Sequence, residues 1–343
     1  MTLFITGAAG FIGSSFLRVA KAHGIYGKIV IIDSLTYAGR KENFIDYVND
    51  RDVIFENVDI RNYESLRSVF QKYEPSSVVH LAAESHVDNS ISGPRVFIET
   101  NVIGTFNLLE CSRELYSSRK VDVDKFKFVH VSTDEVFGEL GETGKFSETT
   151  AYDPSSPYSA SKASSDHLVR AWHRTFGLPC IVTNCSNNYG PRQFPEKLIP
   201  RMILNALADK ALPVYGKGQN VRDWIYVDDH SEGIWLALTK GKAGDTYCLG
   251  GNSERKNIEV VTAICEILDR KKPRRNNQSY KELITFVEDR LGHDFRYAID
   301  DQLAQEELGY KRRFSTFEEG LESTINWYLE NSGWVESISK GAK

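Results

Sequence analysis

Cysteine, long apolar runs and an excess of positive charge are what this sequence lacks. Its five cysteines (Cys111, Cys180, Cys185, Cys248 and Cys265) are scattered and odd in number among 343 residues. They fit neither a disulfide framework nor a CxxC metal pair, so free thiols in a reducing compartment are expected. No apolar run approaches the roughly 20 residues of a membrane span. The start, Met1 to Ile5, has neither the basic flank nor the apolar length of a secretory leader. Forty-two Lys+Arg stand against 47 Asp+Glu, a formal net charge of −5, which argues against a surface for nucleic acid or anionic lipid. The eight histidines show no HxxxH-type spacing, so no metal is assigned. A soluble, cytoplasmic protein that binds neither nucleic acid nor membrane is the expectation.

What is present is ordinary globular composition, 41% hydrophobic and 26% charged. The length suits about two domains or one large α/β unit. Short β-rich runs at Leu3–Thr6, Ile29–Ile32, Val53–Val58, Val78–Leu81, Phe126–Val131 and Cys180–Cys185 alternate with helical stretches. Those stretches are Phe11–His23, Tyr63–Tyr73, Arg95–Tyr116 and Tyr158–Phe176. Continuously apolar strands separated by helices predict a doubly wound parallel sheet. After residue 186 the rhythm breaks at Pro191, Pro195, Pro200 and Pro213, with helices expected at Glu196–Ala208, Asp229–Thr239, Asn257–Leu268 and Phe317–Glu330. The basic run Arg270–Gln278 reads as a solvated loop, and no internal repeat is found.

Thr6-Gly7-Ala8-Ala9-Gly10-Phe11-Ile12-Gly13 follows the first strand and opens the first helix. Gly7, Gly10 and Gly13 allow a tight turn, close approach of a pyrophosphate and close helix–sheet packing, with the helix N-terminus facing the phosphates. Asp33, about 20 residues further on, ends the second strand, where a carboxylate accepts from a ribose hydroxyl and repels a 2′-phosphate. NAD is therefore favoured over NADP, although Arg40 and Lys41 could serve a phosphate. Gly138–Phe146 only loosely resembles a phosphate-binding loop, lacking the spacing and the Ser/Thr after Lys145. The fold class is thus α/β: a Rossmann-type unit over 1–186, and a smaller C-terminal α/β unit over 187–343 from which the chain can cross back.

Tyr158 and Lys162, four apart, share one helical face, where a cation lowers a phenol toward usable basicity. Thr133, Asp134 and Glu135 end a strand, and open α/β sheets bind ligands at carboxyl ends of strands. A solvated acidic loop is the alternative reading of that pair. His80 and His130, inside apolar strands, read as satisfied core residues.

GAAGFIG (7–13), LAAESHVD (81–88), VSTDEVFG (131–138), YSASK (158–162) and NNYGP (187–191) resemble the motifs of extended short-chain dehydrogenases/reductases. The triplet Thr133-Asp134-Glu135, with FPEKLIP (194–200), VYGKG (214–218), VRDWIYV (221–227) and GHDFRYAID (292–300), narrows the resemblance to the dTDP-glucose 4,6-dehydratase family, over about residues 2–330. Sugar-nucleotide epimerases share the glycines and YxxxK but usually lack the Asp-Glu pair. The resemblance implies an NAD site of Phe11 and Ile12 at the pyrophosphate, Asp33, Ser34, Leu35 and Thr36 at the adenosine ribose, and Asp59 and Ile60 at the adenine. Leu81, Ala82, Ala83 and Ser85 would line the nicotinamide side, with Thr100, Tyr158, Lys162 and Asn188. A sugar nucleotide, dTDP-glucose, would meet Glu84, His86, Thr133, Asn187, Lys197, Leu198, Arg222, Asn257 and His293, with Pro213, Val214 and Tyr215 edging the base. Arg222 suits a pyrophosphate because a guanidinium offers paired hydrogen bonds.

The implied chemistry is an internal redox reaction: oxidation at C4 with Tyr158 and Lys162, loss of water across C5 and C6 with Glu135 as base and Asp134 as acid, then reduction at C6. Thr133 would hold the 4-oxygen. Two departures from the family pattern bear on substrate preference: Leu291 where proline is usual, and Arg192-Gln193 where an aromatic and a histidine are commoner. The family usually pairs the helices Arg95–Tyr116 and Tyr158–Phe176 across a two-fold axis. Val102, Phe106, Leu109, Leu168, Val169 and Trp172 suggest the apolar surface for such a homodimer.

Overall fold

The computed structural model describes residues 1–289 and 292–340. Its strands are β1 (Thr2–Thr6), β2 (Lys28–Ile32), β3 (Val53–Glu56), β4 (Ser77–His80), β5 (Lys127–Thr133), β6 (Cys180–Cys185), β7 (Asn187–Tyr189), β8 (Leu212–Tyr215), β9 (Val221–Tyr226), β10 (Thr246–Leu249), β11 (Glu254–Lys256) and β12 (Ile284–Val287). The helices are α1 (Phe11–His23), α2 (Tyr63–Tyr73), α3 (Val87–Ser92), α4 (Arg95–Phe97), α5 (Thr105–Ser117), α6 (Pro157–Phe176), α7 (Leu198–Leu207), α8 (Val227–Lys240), α9 (Asn257–Lys271), α10 (Phe317–Glu330) and α11 (Ser332–Lys340).

Seven parallel strands form the main sheet in the order β10-β6-β5-β4-β1-β2-β3. The order reverses between β1 and β4, which opens a crevice beyond their carboxyl ends. Successive side chains leave a strand on opposite faces, so Leu3 and Ile5 join Phe16, Leu17 and Trp235 under α1 and α8, while Phe4 packs with Phe70, Leu108 and Phe128 on the other side. A separate core of Ile199, Met202, Ile203, Val260, Ile264, Leu321 and Ile325 joins α7, α9 and α10. Here β11-β9-β7 and the pair β12-β8 form the smaller sheets.

Three features depart from the sequence reading. The helix expected over Arg95–Tyr116 is interrupted by a π-helical stretch, Ile98–Gly104, a distortion common at functional sites. The late strand β10 returns to pair with β6, and α8 lies against α1, where Ser15 Oγ donates to Asp228 Oδ1 at 2.7 Å. Four residues before a glycine turn carried too little pattern to mark β10 as part of the first sheet. Leu109 and Val169, taken as surplus apolar surface, are fully buried against the sheet.

Candidate active site

The turn after β1 leaves room only for backbone. Gly7 sits at φ +74°, and a Cβ there would lie 2.7 Å from the Ala82 backbone. At Gly13 a Cβ would meet the Gly7 carbonyl at 2.1 Å, so α1 packs directly on the turn. Gly10 caps α1 without a side-chain bond, which leaves the first helical amides for a ligand. Asp33 braces this cradle: Oδ2 accepts from the Ala9 amide at 3.0 Å and Oδ1 from the Leu35 amide at 2.8 Å. Burial pushes the Asp33 carboxyl up, and those two bonds pull it back.

A cavity of about 360 Å³ runs from this cradle along the strand ends. Gly7, Gly10, Phe11, Ile12, Gly13, Asp33, Ser34, Thr36, Asp59, Ile60, Leu81, Ala82, Ala83, Glu84, Ser85, Thr100 and Asn188 line it, together with Thr133, Asp134, Glu135, Tyr158 and Lys162. Leu35 is not in the wall and enters only through its amide to Asp33. The donor set fits a dinucleotide: a glycine cradle, a helix N-terminus and a carboxylate at the second strand's end. The Leu81–Ser85 wall is held by Asn101, whose amide side chain bonds both the Glu84 amide and carbonyl and reaches Ser161 Oγ at 2.8 Å.

The catalytic candidates converge because β5 ends at Thr133 and the chain turns into a 3₁₀ segment, Asp134–Phe137. Thr133 Oγ1 caps that turn by accepting from the Glu135 amide at 3.3 Å, and Asn184 Nδ2 donates to the Thr133 carbonyl at 3.0 Å. Asp134 is 2% exposed, and its Oδ2 has no partner among the described residues. Burial first, then the charges of Glu135 and Asp223, push the Asp134 carboxyl well above its ordinary value, against the Arg222 charge and a Thr133 bond. A carboxyl held toward its protonated form beside a second carboxylate is an arrangement that suits an acid–base pair.

Tyr158 enters on α6, whose start is fixed by a Ser156/Ser159 capping box and Pro157. The sequence reading has the Lys162 cation lowering this phenol, and among the groups that shift it here others stand first. Burial, then Glu135 and Cys185, push Tyr158 well above its usual value, and the opposing influence is a Thr133 bond. The Lys162 ammonium instead donates to the Val131 carbonyl at 2.9 Å. His80 is satisfied, by Thr6 and Thr105. His130 is not: its Nε2 lies 3.1 Å from Asp166, but Nδ1 has no partner among the described residues.

The sugar-nucleotide candidates divide. Glu84, Asn187 and Lys197 line the same cavity as Thr133, and Lys197 Nζ donates to the Ser85 carbonyl at 2.7 Å. His86, 3.9 Å from the cavity-lining Glu196, stands beside it. Tyr215 reaches Asp88 at 3.3 Å and meets the His293 ring edge-on, and His293 bonds Asp289 at 2.5 Å. Leu198, Pro213, Val214, Arg222 and Asn257 are outside the cavity wall. Strand alternation buries Leu212 and Val214 and turns Pro213 and Tyr215 outward, so Val214 is a core residue. Arg222 stacks 4.3 Å from the Tyr297 ring and donates to the Val221, Asp294 and Phe295 carbonyls. Leu291 lies outside the described residues.

Sequence reasoning missed Val96, Arg61, Cys185, Ser186, Gln193, Phe194 and Glu196, all in the wall. Gln193 was flagged only as a departure. It is buried, donates to the Asn188 carbonyl at 2.9 Å, and has an Oε1 with no partner among the described residues. Among the described residues, no group of three or more His, Cys, Asp or Glu is placed to hold a metal ion, and no helix is long and apolar enough to cross a membrane.

The family model described as GDP-mannose 4,6 dehydratase matches residues 4–324. The dTDP-glucose 4,6-dehydratase 1 of Escherichia coli K12 is 52% identical, covering all of this chain and 96% of its own. A dTDP-glucose 4,6-dehydratase of Streptomyces venezuelae, solved with NAD bound, superposes with a TM-score of 0.90 at 43% identity, over 98% of this chain and 100% of that one. The Bacillus anthracis dTDP-glucose 4,6-dehydratase in complex with NAD gives 0.86 at 42%, over 98% and 99%. With the Asp134–Glu135 pair and the Tyr158–Lys162 pair in one cavity, this chain belongs to the dTDP-glucose 4,6-dehydratase family of extended short-chain dehydrogenases/reductases.

Proposed function

We propose that this protein dehydrates dTDP-glucose to dTDP-4-keto-6-deoxyglucose, with NAD as a bound cofactor, in deoxysugar biosynthesis. One observation carries the reading: a buried Asp134 beside Glu135 in the cavity that Tyr158 and Lys162 also line. An alcohol oxidation alone needs no such pair.

When bound, NAD supplies the acceptor that takes the C4 hydrogen as hydride and gives it back at C6, and its cationic ring adds positive charge to the site. Gly7, Gly10, Gly13 and Asp33 would hold it. Tyr158 takes the proton of the sugar 4-hydroxyl, and Thr133 orients the 4-oxygen. The 4-keto group acidifies C5, whose proton Glu135 removes. Asp134, held protonated, gives its proton to the departing 6-hydroxyl, which leaves as water. C5 is then reprotonated. Residues 1–186, with the returning α8 and β10, would form the cofactor unit; most of 187–343 would bind the sugar nucleotide. A cytoplasmic site fits five free, buried cysteines. Assaying the purified protein with dTDP-glucose, UDP-glucose and GDP-mannose tests the reading. A 4-keto-6-deoxy product from dTDP-glucose is expected. A 4-epimer, or preference for another nucleotide, would overturn it.

Cofactor choice rests on Asp33. Asp33→Ser removes a charged acceptor worth about 1.5–3 kcal/mol, so the preference for NAD over NADP should fall roughly ten- to hundredfold in competitive binding. An unchanged preference would contradict this role.

A homodimer is also proposed. Ile98, Ile103, Phe106 and Phe176 are 38–47% exposed on the π stretch, α5 and α6, an apolar surface of the kind oligomers cover. Light scattering should give twice the chain mass, and Phe106→Glu should shift the protein toward monomer. A dilute, fully active wild-type monomer would sink the idea.

A further inference from the structure

Tyr158, Lys162, Asp166 and Arg170 recur every four residues along α6 and so share one face. A helix covering a sheet is normally apolar there, yet this stripe carries charge into the interior. Asp166 is fully buried two turns beyond Tyr158. Its Oδ2 accepts from Ser132 Oγ and from the Tyr152 hydroxyl, each at 2.8 Å, and its Oδ1 lies 3.1 Å from His130 Nε2. That same nitrogen stands 3.4 Å from the Lys162 ammonium and 3.3 Å from Ser165 Oγ. Arg170 closes the far end, donating to the Tyr152 hydroxyl at 2.8 Å with its guanidinium 4.7 Å from the ring centroid. A buried charge is strongly disfavoured unless paired and bonded, so Asp166 and Lys162 each need the other's neighbourhood.

We propose that Asp166 is a positioning residue for the reaction: through the His130 contact and its bonds to Ser132 and Tyr152, it supplies the fixed counter-charge that keeps Lys162 an ammonium in the cavity wall. This rests on the assignment of Lys162 and Tyr158 to proton transfer at C4.

The electrostatics run the same way. Burial pulls Lys162 below its ordinary value, and Asp166 heads the influences that raise it again. Burial alone would raise Asp166, but the His130 contact, the Lys162 charge and the Ser132 bond hold its carboxyl below the usual range. Burial and then the Lys162 charge hold His130 down to about 4, so it is neutral near pH 7 and the negative charge beside it stays with Asp166. The titratable groups facing Lys162 are Tyr158 and Asp166 on its own helix, His130 on β5, His80 on β4 and Cys185 on β6. Of these, Asp166 is the anion at neutral pH, since burial pushes Cys185 above the ordinary thiol range and Tyr158 well above the ordinary phenol value.

The test is the pH profile of C4 oxidation, followed as total 4-keto sugar in single-turnover quench experiments, a step that does not use Asp134. An ammonium is present below its pKa and lost as pH rises through it. In Asp166→Asn the alkaline limb should therefore move down by about one pH unit or more, with kcat near neutrality falling about tenfold and KM moving less than about threefold. Asp166→Glu should restore the wild-type limb. Tyr152→Phe removes a bond to the same carboxylate but not its charge, so it should lower the melting temperature and leave the limb in place. Asp166→Ser, smaller and also neutral, carries the same expectation as Asp166→Asn. An unmoved limb in a folded neutral variant would overturn the proposal, as would an equal shift in Tyr152→Phe or failure of both neutral variants to fold. If the functional reading itself is wrong, the wild-type protein will form no 4-keto sugar at any pH.

Discussion

Glu135→Gln should slow formation of the 4-keto-6-deoxy product by about 10² to 10⁴, the usual worth of a general base. The substitution keeps the size of the side chain and removes its basicity. Oxidation at C4 calls on Tyr158, Lys162 and the cofactor, but on no carboxylate near C5. A quenched reaction of Glu135→Gln should therefore contain 4-keto sugar that still carries its 6-hydroxyl, and exchange of the C5 hydrogen with heavy water should fall with the product. Tyr158→Phe should lose as much rate at an earlier point, with no 4-keto sugar in the quench. Asp134→Asn should resemble Glu135→Gln in rate but still exchange at C5, because the acid acts on the leaving group. Wild-type turnover by Glu135→Gln would remove Glu135 from the mechanism.

The second large effect is structural. At Gly13 any side chain begins 2.1 Å from the Gly7 carbonyl and 2.7 Å from Ala8 Cα, both backbone atoms that cannot swing away. Gly13→Ala must push α1 off the turn, a strain of about 1–3 kcal/mol. Because the same backbone would cradle the pyrophosphate, NAD affinity should fall by roughly ten- to hundredfold, read by isothermal titration, with a lower melting temperature. Gly24→Ala at the opposite end of the same helix is the control. It has a positive φ but open space around its Cβ, so it should lower stability without changing NAD affinity. Equal affinities for Gly13→Ala and wild type would mean the turn is not the phosphate site.

Much of this was legible in the sequence because the first half carries strong local signals. Ile29–Ile32 and Cys180–Val182 are continuous apolar runs that only a sheet covered on both faces can bury, and both fall in strands. Phe11–His23 begins at Gly10 and stops before Gly24, which caps it in the left-handed region. The helix at Arg95 was legible only in part, since nothing local marks Ile98–Gly104 as π-helical. There Asn101 binds the Leu81–Ser85 loop, a tertiary contact that helical periodicity does not encode. Strand β10 is set by its partner β6, 64 residues away in the chain at Thr246↔Val182, so no short window reveals it.

At the site, Thr133, Asp134, Glu135, Tyr158 and Lys162 were legible because strand-end and i, i+4 rules concern neighbours in the chain. The cavity wall from Cys185 to Glu196 was harder to read. Gln193 and Glu196 reach it through the fold of an irregular segment held by Tyr328, whose hydroxyl donates to the Gln193 carbonyl at 2.6 Å from 135 residues away. Asp166 escaped notice for a related reason: its role depends on His130 across the helix–sheet boundary, not on its place in YxxxK.

The most direct test of dehydration with internal hydrogen transfer follows one atom. dTDP-glucose carrying deuterium at C4 is turned over in ordinary water, and the product is read by NMR. The account predicts a 4-keto-6-deoxy sugar with deuterium in its C6 methyl group and ordinary hydrogen at C5. Deuterium found back at C4 of a 4-epimer, or lost to the solvent, would contradict it.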